Sequence, residues 1–195
     1  MTNNVLLARR KNREPAKKKL TMDKVVKSKG YYDIHNNWNS ITTLREYPNK
    51  YFRERVEVLI FNEKKEIFLC REKGYYRVPG GSVERYVSNR KQVAMESKEE
   101  ARIEIQNVHH TGMNYVRLFS HKFVPYNSSI YWDGVYNHVY YAEYKSDYTG
   151  KIKKSLKDNF MFNNGHFYNT FKIYPYLKPE YKKIINELQY NGFFT

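Results

Sequence analysis

The chain has 195 residues, 35 Lys and Arg against 20 Asp and Glu for a formal charge of +15, and 41% hydrophobic residues. That supply of apolar residues suits one globular domain plus an arm or small extension. A single cysteine excludes a disulfide scaffold, and the absence of any apolar run near ~18 residues excludes a helical membrane span.

Residues 1–30 hold ten Lys or Arg against Glu14 and Asp23, so +8 of the +15 sits there. The segment is polar and nearly without periodic apolar positions, and it predicts a flexible basic arm. Such an arm attracts RNA or other nucleic acid through phosphate charge, or it is a solvated tail that aids solubility. No apolar stretch of a signal peptide opens the chain, and a lone thiol fits a reducing compartment, so the expected location is cytoplasmic.

The globular part, taken as residues 31–195, opens with aromatics. Val56 to Phe61 is rich in β-branched and apolar residues and predicts a strand; Asn62 to Lys65 makes a turn, and Glu66 to Cys70 returns as a hairpin partner. Cys70, within Ile67-Phe68-Leu69-Cys70, reads as a buried strand residue. Pro79-Gly80-Gly81 then breaks regular structure. Ser88 is the expected N-cap of a helix over Asn89 to Arg102, whose Val93, Ser97 and Ala101 recur every four residues and face a sheet.

Downstream, Ile103 to Phe119 suggests a strand pair broken at His109-His110-Thr111-Gly112, with the histidines in a turn. Lys122 to Tyr126 and Val135 to Tyr144 predict further strands, with Trp132-Asp133-Gly134 as a turn between them. Residues 151–169 read as a long loop or irregular insertion. Pro179 to Tyr190 closes the chain as a helix with Pro at its first position and a stripe of Tyr181, Ile184, Ile185 and Leu188. Hairpin, loop, helix and more strands in this order give an α+β fold, an α/β/α sandwich.

One constellation carries chemistry. With about 100° per helical residue, Glu99 and Glu100 lie near −60° and +40° of Glu96, so three carboxylates share one arc. Their mutual repulsion is relieved by a divalent cation, and hard oxygen donors suit Mg²⁺ or Mn²⁺. An ordinary acidic helix face is the alternative. Upstream, the glycines let backbone amides and a carbonyl approach a ligand.

Here the chain resembles the Nudix hydrolases. Their signature (Gly, five residues, Glu, seven residues, Arg-Glu, aliphatic, any, Glu-Glu, any, Gly, aliphatic) aligns without a gap on Gly81, Glu96, Glu99, Glu100 and Ile103. Tyr76-Arg77-Val78-Pro79-Gly80 is similar to the Trp-x-Leu-Pro-Gly that often precedes it, and Gly80-Gly81-Ser82-Val83-Glu84 to the usual continuation. Val87 stands in place of the first Glu, Met95 of the Arg, Ser97 of an aliphatic residue and Arg102 of the closing Gly.

The resemblance implies a Nudix-type α/β/α sandwich with a mixed sheet. It also implies Mg²⁺- or Mn²⁺-dependent hydrolysis of a nucleoside diphosphate linked to another moiety, a nucleotide or an RNA 5′ end. The implied metal ligands are Glu96, Glu99, Glu100 and the Gly80 carbonyl, with Glu99 or Glu100 as base. Glu143, Asp147 and Asp158 are candidate downstream acids. Arg71, Tyr76, Arg77 and Gly81 are the candidate substrate-binding residues. The departures at Val87 and Met95 support the alternative, a catalytically impaired Nudix-fold protein that binds nucleotide or nucleic acid. Family members are often homodimers, so the resemblance implies that assembly too. The ending Glu99 to Ile103 is similar to bacteriophage-encoded members, which would place the chain in a host cytoplasm.

Overall fold

The computed structural model describes residues 27–32, 37–43, 52–72, 74–84, 86–123, 132–151 and 165–194. The elements in chain order are β1 (Lys27–Tyr32), β2 (Trp38–Thr43), β3 (Phe52–Phe61), β4 (Ile67–Glu72), β5 (Tyr75–Arg77) and β6 (Gly80–Ser82). They continue with α1 (Asn89–Ala101), β7 (Ile103–Phe123), β8 (Trp132–Asp147), β9 (Gly165–Tyr168), α2 (Thr170–Ile173), a 3₁₀ turn (Tyr174–Tyr176) and α3 (Pro179–Tyr190).

The strands form one mixed sheet in the order β2-β1-β7-β8-β3-β4-β5. β1 runs parallel to β7 and β3 parallel to β8; the other pairings are antiparallel. Along its other edge β3 meets β6, with Arg55 opposite Ser82, Val56 opposite Gly81 and Glu57 opposite Gly80. The second half of β3, from Val58 to Phe61, is apolar on both faces because both are covered. Val56, Val58 and Ile60 join Val93 and Ala101 of α1 in one core, whereas Leu59 and Phe61 join Tyr181, Ile184 and Ile185 of α3 in the other. This is the α/β/α sandwich with a mixed sheet. Among the described residues no helix is long and apolar enough to cross a membrane.

The hairpin, both long helices and the Ser88 cap stand as expected, and the Ser88 side chain accepts from the Lys91 N–H. Three expectations are corrected. Ile103 to Phe123 is one strand rather than a broken pair; its register to β8 shifts between Gln106 and His109 and between His110 and Asn114. Asn107 and Gly112 have positive φ there, so two bulges absorb what local composition suggests is a turn. His109 and His110 therefore sit inside the strand, where His109 stacks on Tyr141 at 5.1 Å. Trp132-Asp133-Gly134 begins β8, with Gly134 paired to Leu118. Within the expected loop 151–169, Gly165 to Tyr168 is a strand pairing with β4.

The last four residues of the basic segment, Lys27 to Gly30, belong to β1. Residues 1–26, 124–126 and Asp158 lie outside the described residues.

Candidate metal and nucleotide site

The β3–β6 pairing carries the glycine loop under α1, and a side chain at either glycine would have to displace a neighbour. A Cβ on Gly80 would lie 2.4 Å from the Val56 carbonyl oxygen, and one on Gly81 would lie 2.1 Å from Glu96 Oε1. The Gly80 N–H donates to Glu100 Oε2 at 2.8 Å. Gln92, one turn before Glu96, donates from Nε2 to Glu96 Oε1 at 2.7 Å, and its own Oε1 accepts from the Glu84 N–H at 3.1 Å. Helix and loop are thus tied through carboxylates and an amide at once.

Glu96 is buried, and its carboxyl is pushed up to about 7 by burial first and then by the charges of Glu100 and Glu99. Arg55 acts in the opposite direction. Its Nη2 also donates to the Gly80 carbonyl at 3.0 Å. Arg53 and Arg55, on β3, thereby bring positive charge to the place where Met95 brings none. Arg53 has its proton affinity lowered by burial and by Arg55, with Glu96 opposing. Arg102 closes α1 in the left-handed conformation (φ 58°) and donates to the Gly150 carbonyl at 3.3 Å. A side chain there costs ~1–2 kcal/mol relative to the glycine of the signature.

The structure brings Glu96, Glu100, Gly80 and Gly81 together, and Glu99 acts electrostatically on Glu96. Among the described residues, no three His, Cys, Asp or Glu side chains are grouped as a ready metal cage. Glu96 and Glu100 instead engage Gln92 and Gly80. Of the downstream acids, Glu143 accepts from Asn107 Nδ2 at 2.6 Å and Asp147 from the Tyr144 hydroxyl at 3.1 Å.

The chain is similar to solved MutT and Nudix structures. They include the MutT protein from Bacillus halodurans (14% identity, 70% of this chain and 80% of that one, TM-score 0.47). A NUDIX-family hydrolase from Clostridium perfringens matches at 16% identity over 70% and 94%, with TM-score 0.45. The E. coli dihydroneopterin triphosphate pyrophosphohydrolase matches at 9% identity over 72% and 98%, with TM-score 0.47. No family profile and no curated protein matches the chain.

At the start of α3 lies a cavity of about 860 Å³. Tyr76 and Arg77 of β5 line it, as do Tyr32, Trp38, Arg117 and Lys178. Arg71 is exposed on β4 with its guanidinium 5.9 Å from the Tyr76 ring centre. Tyr32 meets Trp38 edge-to-face at 5.0 Å, and the Arg117 guanidinium lies 4.1 Å over the Tyr32 ring. Half-buried Glu57 lies behind, accepting the Tyr115 and Tyr181 hydroxyls at 2.8 and 2.9 Å. Burial alone would raise its carboxyl, but Lys178, Arg55 and these two hydroxyls outweigh that and hold it below the usual carboxylate value. Glu57 also stands opposite Gly80 in the β3–β6 pairing, so it lies between the glycine loop and Tyr181 of α3.

Local sequence points to none of Arg53, Arg55, Gln92, Trp38, Arg117 or Lys178. The one signal is the run of charged residues Arg53, Glu54, Arg55 and Glu57 in the first half of a strand whose second half is apolar. Glu54 within it is buried and bonds His138 Nε2 at 2.6 Å.

Proposed function

We propose that the chain is a divalent-cation-dependent pyrophosphohydrolase acting on a nucleoside diphosphate linked to another moiety, a further nucleotide or an RNA 5′ end. The observation that carries this reading is Glu96, packed on Gly81 and pushed up to about 7 by burial and by Glu100 and Glu99. Carboxylates that raise one another's proton affinity around a bare glycine backbone fit a hard cation, which relieves the repulsion.

Glu96, Glu99, Glu100 and the Gly80 carbonyl would hold Mg²⁺ or Mn²⁺. When bound, the cation supplies positive charge to the diphosphate and acidifies coordinated water. Glu99 or Glu100 is the base that takes a proton from the attacking water. Attack at one phosphorus breaks the P–O–P link, and the other phosphoryl group leaves with the bridging oxygen. Arg77 and the Gly81 backbone bind phosphate oxygens, Tyr76 stacks on the base, and Arg71 supports Tyr76 from β4.

A second reading is favoured by Arg55, whose bond to the Gly80 carbonyl occupies a proposed ligand. In it the chain is a catalytically impaired protein that binds nucleotide or nucleic acid.

One assay separates the two. Wild type and a Glu99→Gln/Glu100→Gln variant are incubated with Mg²⁺ or Mn²⁺, a nucleotide panel and 5′-triphosphorylated or capped RNA. The hydrolase reading expects the products of P–O–P cleavage, a nucleoside mono- or diphosphate or pyrophosphate and the remaining phosphorylated moiety, from wild type alone; equal background from both proteins overturns it.

A further inference from the structure

Charge grips Gly80 from both sides. Its N–H donates to Glu100 Oε2 at 2.8 Å, and its carbonyl accepts from Arg55 Nη2 at 3.0 Å. The carbonyl and the Glu100 carboxylate are both among the groups proposed above to hold a divalent ion. A guanidinium on that carbonyl, near the carboxylates of α1, supplies from within the chain the kind of charge such an ion supplies. Arg55 also favours the ionised form of Glu96, as a bound cation would.

Arg55 is loosely held there. The bond to Gly80 is the one hydrogen bond of its guanidinium among the described residues, and its Nε is buried with no acceptor. Asn137, opposite Arg55 across the β3–β8 ladder, has its Nδ2 in the same state. Unmet buried donors are costly, so this position leaves the five-donor guanidinium short of acceptors. Glu96 and Glu57 act on Arg55 electrostatically, yet among the described residues neither forms an ion pair with it. Arg53, also on β3, adds a like charge that Arg55 disfavours. An oxyanion with several acceptor atoms meets these needs, and the diphosphate of the proposed substrate is one.

We propose that Arg55 works in two positions. In the metal-free protein its guanidinium takes the place of the divalent ion at the Gly80 carbonyl; in the loaded site it yields that oxygen and binds the substrate's diphosphate. The proposal rests on the metal-site reading above and adds to it an internal competitor for the ion.

Removing Arg55 then has effects of opposite sign on the two ligands, whereas loss of a residue that only supports the fold weakens both. In Arg55→Met at pH ~8 and ~0.15 M salt, Mn²⁺ followed by electron paramagnetic resonance is expected to bind about tenfold tighter. Methylenediphosphonate, a diphosphate analogue that resists hydrolysis, is expected to bind about tenfold weaker under saturating Mg²⁺, measured by calorimetry. A third measurement uses the wild-type chain and depends on no variant. The ¹⁵N signals of the Arg55 guanidinium should show freer rotation when Mg²⁺ is added, because Nη2 leaves its acceptor, and hindered rotation again when methylenediphosphonate follows. Mn²⁺ affinity unchanged or weakened in Arg55→Met overturns the proposal. So does diphosphate affinity unchanged or tightened, or an Arg55 signal indifferent to Mg²⁺. Effects of opposite sign without hydrolysis keep this role for Arg55 and remove the hydrolase reading; hydrolysis by wild type with none of these effects does the reverse.

Discussion

The carboxylate of Glu96 stands where a side chain on Gly81 would be: a Cβ there would meet Oε1 at 2.1 Å and Oε2 at 2.5 Å. The glycine is a condition for the position of the glutamate, and the glutamate is held against it by Gln92.

Gly81→Ala should therefore displace Glu96 with little damage to the fold, because the atoms that must move are the far end of one side chain. Mn²⁺ binding followed by electron paramagnetic resonance is expected to weaken about tenfold, a ~1.4 kcal/mol effect. Gly80→Ala is the contrast, since its Cβ would fall 2.4 Å from the backbone oxygen of Val56. It should cost ~1–3 kcal/mol of stability as an overpacked site, read as a lower Tm. If Gly81→Ala kept full Mn²⁺ affinity, the proposed role of Glu96 would fall.

The raised carboxyl of Glu96 makes the metal-free protein less stable as pH rises. Its ordinary value is 4.5 and the folded value about 7, so between these the folded state binds more protons than the unfolded state. The contribution is fully present below about 4.5 and is lost as pH rises through about 7. The gap corresponds to roughly 3 kcal/mol. Glu96→Gln should flatten that part of the Tm-versus-pH curve, and Mg²⁺ or Mn²⁺ should restore more stability at pH ~8 than at pH ~5. An identical pH slope in wild type and Glu96→Gln would contradict the assignment.

Arg55 lowers the proton affinity of Glu96 while bonding the Gly80 carbonyl. Arg55→Met removes a positive charge and a donor, so the Glu96 midpoint should move above the wild-type value of about 7. Carbon-detected NMR titration of the glutamate carboxyls measures this, and an unmoved midpoint would show that Arg55 has no electrostatic hold on the site.

Tyr181→Phe tests the charged centre under the cavity. The change leaves Glu57 with the Tyr115 hydroxyl but without the 2.9 Å bond from Tyr181. Loss of a hydrogen bond to a charged acceptor costs ~1.5–3 kcal/mol. Glu57 is held below the usual carboxylate value of 4.5, so the stability it contributes is present above that pH and is lost as pH falls below it. The variant's deficit should accordingly be larger at pH ~7 than near pH ~3, measured by chemical denaturation at each pH.

The sequence by itself determined the elements whose signals are local. The β3–β4 hairpin shows as two apolar runs about a polar turn, α1 as an N-cap followed by thirteen residues without Pro or Gly, and α3 as a four-residue stripe behind Pro179. Glu96, Glu99 and Glu100 were legible because helical periodicity places them on one arc whatever the rest of the chain does. Tertiary structure decided what depends on pairing between distant segments. Arg55 reaches Gly80 because β6 pairs with β3 across 25 residues. The cavity draws on β1, β2 and β7 from one end of the sheet, β5 from the other, and the start of α3, elements that only the tertiary fold brings together. β7 reads locally as two strands because His109-His110-Thr111-Gly112 is turn-like in composition, and only its partner β8 shows that the ladder continues through the register shifts on either side. A strand's local sequence records its preference for extended backbone and its buried face, whereas its neighbours and register are settled by long-range packing.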